Sequence, residues 1–233
     1  MKRICIHQPD FVPYLGFFDR LLSCDLFIVL DDVQFIRRGW HHRDKIKTPR
    51  GPEWLSLILQ KGDYHQKINE VLLRPGQQSW ADRHLAVLTE NYRRAVHFDM
   101  IFPAIEAVYG QPHEKLIDIN MAFINFLFDS FNISIDRVMA SDLAIDTTGN
   151  QRLIDLVHAA GGDIYLSGIG ALDYLEPALF ENAGIKLEIQ DFHHPAYPQL
   201  HGDFAPYLSS LDVVLNCGPA ATDIVRQCTS ASS

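Results

Sequence analysis

Two short apolar runs, residues 3–7 (RICIH) and 26–30 (LFIVL), flank a proline-punctuated stretch of helical pattern, and this arrangement constrains the fold more than any other feature of the chain. Pro9 and Pro13 have no backbone donor, so the first run must stop as a strand at His7. Over residues 14–23, Leu15, Phe18, Leu21 and Leu22 fall on one helical face, and Pro13 suits the first helical turn. The second run is continuous rather than alternating, which is the pattern of a strand covered on both faces. A strand, a helix and a strand of this length predict a parallel crossover.

The same texture returns late in the chain. Residues 135–140 predict a strand, 151–160 a helix ended by Gly161 and Gly162, 164–166 a strand, 177–183 a helix closed by Gly184, and 185–190 a strand. Residues 54–59 are a further strand candidate. Between the two sections the periodicity turns helical over 79–95, 103–109 and 113–130, where Leu116, Ile119, Phe123, Ile124 and Leu127 repeat at helical spacing. Phe123, Phe126, Phe128 and Phe131 read as core. The expectation is an α/β fold, a parallel-sheet core of strand-helix-strand units with a helical insertion. It is read as one domain over 1–233: an α/β section at 1–60, a helical section at 79–130 and an α/β section at 135–216. With 233 residues, 47% of them hydrophobic, the chain has enough apolar material for one core. The polar tail 229–233 is expected to fray.

Charge and cysteine usage narrow the function. The net charge of -9 repels a phosphate backbone, so no long nucleic acid is expected as a partner. Residues 37–50 form a local basic patch containing Arg37, Arg38, Arg43, Lys45, Lys47 and Arg50, together with Trp40. A patch of this size on an acidic chain points to a small-molecule substrate, phosphorylated or nucleotide-linked. Cys5, Cys24, Cys217 and Cys228 have no paired short spacing, which argues against a zinc ribbon or a disulfide framework. No signal-peptide pattern and no run near ~18 apolar residues is present, so a cytoplasmic protein without membrane insertion is expected.

Four polar clusters follow apolar strands, where open α/β sheets present side chains to a crevice. In the first, residues 7–16, His7, Gln8 and Tyr14 stand beside a helix N-terminus suited to an anion; satisfying the loop backbone is the alternative role. In the second, Asp31-Asp32-Val33-Gln34 precedes the arginines. Adjacent carboxylates are costly to bury, and nearby arginines would neutralise them. Either they hold an amine, a hydroxyl or Mg²⁺, or they form a structural ion pair. In the third, Ser167-Gly168 ends a strand in a small-residue loop able to approach a ligand, without the lysine of a phosphate-binding loop; a plain strand-to-helix turn is the alternative. In the fourth, residues 191–199, His194 has the chemistry of a general base. No metal site is expected, because His41, His42, His193 and His194 offer no ligand pair at i, i+4 spacing, and the sequence names no cofactor.

These residues also carry a resemblance. His7-Gln8-Pro9, Pro13-Tyr14-x-Gly16-Phe17-Phe18, Asp31-Asp32-Val33-Gln34-Phe35 and Arg38-Gly39-Trp40 resemble the N-terminal signature of the WbqC-like family. Asn91-Tyr92, Tyr165-Leu166-Ser167-Gly168, Asp173-Tyr174-Leu175, His194-Pro195-x-Tyr197-x-Gln199 and Leu208-Ser209-x-x-Asp212 follow the family pattern in order, so the similarity covers nearly the whole chain. The chain departs at His7, where the family more often has Met, and at His42-Arg43-Asp44, where Asn residues are usual. The resemblance implies a role in bacterial surface-polysaccharide or amino-sugar pathways, in modifying an amino group.

The resulting expectation is a transferase that moves an acyl or aminoacyl group directly to an amine. Arg38 and Arg43 would hold phosphate, Asp31 or Asp32 the amine or a hydroxyl, and His194 would act as base; His7 is a further catalytic candidate. Gln8, Tyr14, Gln34, Ser167, Gly168, Tyr197 and Gln199 would contact substrate. A non-catalytic sugar-nucleotide binding or assembly protein and a nucleotidyltransferase are the alternatives. His7, Asp31, Arg38, Ser167 and His194 are expected to converge on one pocket.

Overall fold

In the computed structural model, which describes residues 1–228, the chain begins β1 (Arg3–His7), α1 (Leu15–Leu22), β2 (Leu26–Val29), β3 (Arg43–Thr48) and β4 (Gly51–Ser56). Three helices follow, α2 (Gln77–Tyr92), α3 (Phe98–Gly110) and α4 (Leu116–Ser130). The remainder is β5 (Asp136–Met139), α5 (Gly149–Ala159), β6 (Ile164–Ser167), α6 (Pro177–Asn182), β7 (Lys186–Ile189), α7 (Ser210–Cys217) and α8 (Ala221–Gln227). The tail expected to fray, 229–233, lies outside the described residues.

Five strands form one all-parallel sheet in the order β5-β2-β1-β6-β7. Ile4, Cys5, Phe27, Ile28 and Val29 are buried almost completely, which is why the first two runs are apolar without alternation. One face packs α1, α4, α7 and α8 through Leu15, Phe18, Ile124, Val213 and Val225; the other packs α5 and α6 through Ile154, Val157 and Phe180. Each such side chain contributes about 1.5–3 kcal/mol by leaving water. The architecture is an α/β fold with a parallel-sheet core of strand-helix-strand units and a helical insertion.

The structure departs from the sequence reading in three places. The strand expected at 54–59 is β4, and it joins no central sheet; it pairs antiparallel with β3, inside the segment read as a basic patch. Asp44 and Ile46 of β3 turn inward while Arg43 and Lys45 stack on Trp54, so the period-2 signal is hidden under charged residues with long apolar stems. The helix expected at 103–109 begins earlier, at Phe98, and carries Pro103 inside it. Burial of Phe98, Phe102 and Ile105 against α2 and α4 outweighs the hydrogen bond that the proline removes. Helices α7 and α8 were not anticipated; every residue of α7 is buried, which erases an amphipathic period, and Ser209 caps it by accepting from the Leu211 N–H at 3.2 Å. Among the described residues no helix is long and apolar enough to cross a membrane.

Candidate active site

From β1 the chain winds outward to β2 and β5, then returns to lay β6 on the other side of β1. The loops after β1 and β6 therefore leave in opposite directions and open a crevice at the carboxyl ends of the strands. There a cavity of about 630 Å³ is lined by residues after β1, β6 and β7, by the 36–41 loop, by Asp44 and by Tyr207. Tyr14 folds over the start of α1 to form part of its wall. A Cβ on Gly16 would stand 2.4 Å from the Tyr14 ring, so only glycine admits this pose.

The floor carries a buried cation. Arg20 of α1 is 4% exposed and lines the cavity. Its Nε donates to Gln190 Oε1 at 3.2 Å, and the Gln190 amide donates in turn to Asp19 Oδ2 at 2.6 Å and to the Gly16 carbonyl at 2.8 Å. Gln190 thus holds the guanidinium in place from the end of β7. On the other side the guanidinium lies flat against Gly168, where a Cβ would meet Nη1 at 2.9 Å and Cζ at 3.1 Å.

The opposite wall is acidic and holds two neutral imidazoles. Asp10 sits between His7 Nδ1 and His41 Nε2, 3.9 Å from each. His7 Nδ1 donates to the Gln8 carbonyl at 2.8 Å, and His41 Nε2 donates to Gln8 Oε1 at 2.8 Å, which fixes both tautomers. Burial, then the Arg20 charge, push His7 down to about 3, and burial with the neighbouring His42 pushes His41 down to about 4. Burial raises Asp10 to about 7, against the pull of Arg20. Asp44 is also raised well above the ordinary carboxylate range, first by burial, although the Lys45 N–H donates to it at 2.6 Å. Two carboxyls of one cavity therefore hold protons more firmly than free aspartates do.

Of the residues singled out from sequence, His7, Gln8, Tyr14, Ser167 and Gly168 line this cavity. Asp31, Asp32, Gln34, Arg38, Arg43, His194, Tyr197 and Gln199 do not. The five-residue convergence is therefore limited to His7 and Ser167. Asp31 accepts from the Ser141 N–H and hydroxyl at 3.0 and 2.7 Å and from Asn69 at 2.9 Å, so its oxygens tie the end of β2 to the turn after β5. Both oxygens of Asp32 accept from Nη2 of Arg152 in α5, each at 2.6 Å; its counter-charge is not one of the nearby arginines. Gln34 is exposed and donates to the Tyr64 carbonyl. Arg38 is exposed, and Arg43 lies 4.3 Å over the Trp54 ring while donating to the Arg38 carbonyl, so the phosphate clamp expected of this pair is not part of the cavity.

His194 stands behind the wall. Its Nδ1 donates to the Pro195 carbonyl at 2.9 Å, and its ring packs among Phe192, Tyr197, Phe204 and Tyr207. Tyr197 and Gln199 belong to a separate buried region: Gln199 accepts from Lys47 at 3.1 Å, and Asp212 accepts from Tyr92 at 2.8 Å, with Tyr197 close enough to feel the same carboxyl. Arg20, Asp10 and Asp44 were missed as site residues. A signal existed for Arg20: α1 is apolar or glycine at most of its positions, so it is covered all round and its two charged residues must be buried.

Comparison with known proteins adds the lineage. The model of the WbqC-like protein family matches residues 8–224. The chain is 33% identical over 231 residues to the uncharacterized protein Rv1507c of Mycobacterium tuberculosis (strain ATCC 25618 / H37Rv), covering 98% of this chain and 99% of that one. No solved structure matches.

Proposed function

The chain belongs to the WbqC-like protein family, and from that premise we propose that it is an enzyme of a bacterial surface-polysaccharide or amino-sugar pathway that transfers an acyl or aminoacyl group to an amine. The observation that carries this reading is Asp10, a carboxyl raised to about 7 on the wall of a cavity large enough for a small molecule. A general base works best when its pKa lies near the operating pH, and Asp10 meets that condition. His194 does not touch the cavity, so Asp10 takes the role of base in this proposal.

The acceptor enters as an ammonium. Asp10 takes one proton, the freed lone pair attacks the acyl carbon, and the new N–C bond forms as the bond to the donor's leaving group breaks, that group departing with the electron pair and carrying off the second proton that the nitrogen sheds. His7, held neutral with Nδ1 engaged, presents its Nε2 lone pair as an acceptor that orients the nitrogen. Direct transfer is favoured, because none of the cysteines lines the cavity and, among the described residues, no base is hydrogen-bonded to the Ser167 hydroxyl.

The test is to incubate the full-length protein with amino sugars and nucleotide-linked amino sugars, plus acyl and aminoacyl thioesters or adenylates, and read products by mass spectrometry. Product that falls about 10²-fold or more in Asp10→Asn supports the reading. Binding of these molecules without turnover under any pairing turns it to a non-catalytic sugar-nucleotide binding or assembly protein. Mg²⁺-dependent release of pyrophosphate from a nucleoside triphosphate turns it to a nucleotidyltransferase.

A further inference from the structure

Arg20 is a buried cation, 4% exposed, that has no ion-pair partner among the described residues. Among the described residues no carboxylate forms an ion pair with it, and its side-chain hydrogen bond uses Nε, toward the neutral amide of Gln190. Nη1 and Nη2 are left on the cavity side, backed by Gly168. Burying a guanidinium costs several kcal/mol unless an anion and good hydrogen bonds compensate it. Asp19 accepts from Gln190, and Asp10 forms no ion pair with Arg20, which leaves the cavity side of the guanidinium open to an anion from outside the chain.

The charge of that anion follows from the rest of the lining. Arg20 is the one guanidinium or ammonium on it among the described residues, since His7 and His41 are neutral, and Asp10, Asp44 and Asp191 line the same space. A phosphate monoester brings about 1.5 to 2 negative charges at neutral pH, which a single guanidinium does not balance, and the aspartates on the same lining add no positive charge. A carboxylate brings one, and its two oxygens match the planar fork formed by Nη1 and Nη2.

We propose that the cavity is built for an amino-carboxylate, a small amine that bears its own carboxylate group, with the carboxylate seated on Arg20 and the amine directed to the wall of Asp10 and Asp44. This inference deepens the preceding reading and rests on it for the amine, but the anion seat stands on the geometry of Arg20 alone. Gln190 is then a positioning residue, which aims the guanidinium, and Gly168 is glycine because the flat approach of that group leaves no room for a Cβ.

Amide shifts of Ser167, Gly168 and Gly170 in the full-length, isotopically labelled protein test it, with glycine, acetate, ethanolamine and methyl phosphate as separate probes. Glycine and acetate should move these signals, methyl phosphate should not displace them, and affinity for acetate should fall about tenfold or more in Arg20→Gln. Should Arg20→Gln fail to fold, Gly168→Ala decides, because its added methyl pushes the guanidinium aside without removing it and should also weaken acetate. Preferential binding of methyl phosphate, or acetate shifts unchanged in the variants that fold, overturns the carboxylate seat. The amine end fails separately: Asp10→Asn should retain acetate binding yet lose the preference for glycine over acetate. If that preference persists, the role of Asp10 is wrong while the seat on Arg20 stands.

Discussion

Replacing Asp10 by Asn should make the protein more stable at alkaline pH while removing its activity. In the folded state Asp10 is raised from 3.8 to about 7 by burial. A carboxyl raised on folding contributes stability that is fully present below its unfolded pKa and is lost as pH rises through the folded value. The displacement corresponds to roughly 4 kcal/mol between the protonated and ionised forms, and this is the penalty that the wild type carries above about pH 8. Asn keeps the shape of the protonated acid and avoids that penalty. For a domain of this size about 1 kcal/mol moves the melting temperature by about 2–4 °C, so the variant should melt roughly 10 °C above wild type at about pH 8 and coincide with it near pH 4. His7 and His41, both lowered, destabilise the fold as pH falls below their unfolded value, but they do so in both proteins and drop out of the difference. Differential scanning calorimetry of the pair across that range is the assay. A difference that does not change with pH, or a variant less stable at every pH, would refute the claim that Asp10 is buried against its charge.

Three further outcomes follow from the geometry. Breaking the Asp32–Arg152 ion pair with Asp32→Ala should cost about 3–5 kcal/mol in chemical denaturation and leave small-ligand affinity in the surviving fold unchanged, because neither residue lines the cavity. Gly16→Ala places a methyl 2.4 Å from the Tyr14 ring and should expel that ring from the cavity wall, seen as a change in ligand KM at nearly constant kcat. His194→Phe preserves the aromatic packing and should change turnover less than about tenfold; a loss of about 10²-fold would return the role of base to His194.

What the sequence revealed follows a physical divide between local pattern and long-range contact. The first crossover was legible because Pro9 and Pro13 punctuate it and because strands buried on both faces must be apolar throughout. So were the strand ends at His7 and Ser167, since a strand end at a sheet's winding reversal opens to solvent whatever loop follows. The hairpin of β3 and β4 was not, because Lys45 and Lys47 mask the alternation that burial of Ile46 and Leu55 creates. Nor was the choice between Asp10 and Asp31. Both follow an apolar strand, and only the tertiary fold shows that Asp31 is consumed by Ser141 and Asn69 while Asp10 is left facing the cavity. Arg20 was overlooked because an arginine on a short helix is ordinarily solvated, and the reason that it is not lies in strand β7, far along the chain.

The helical insertion has a consequence beyond packing. Asn120 of α4 is wholly buried, and its amide nitrogen donates to the Pro9 carbonyl and to the His41 carbonyl, both at 2.7 Å. One side chain from the middle of the chain thereby clasps the two loops that set Asp10 against His41. During synthesis the loops emerge long before their clasp, and Pro9 waits for a residue 111 positions downstream. Until α4 exists, the two loops are joined only by their own contacts, the Gln8–His41 bond and the Phe11 N–H to the Trp40 carbonyl, so the growing chain can form its first crossover well before its acidic wall is braced.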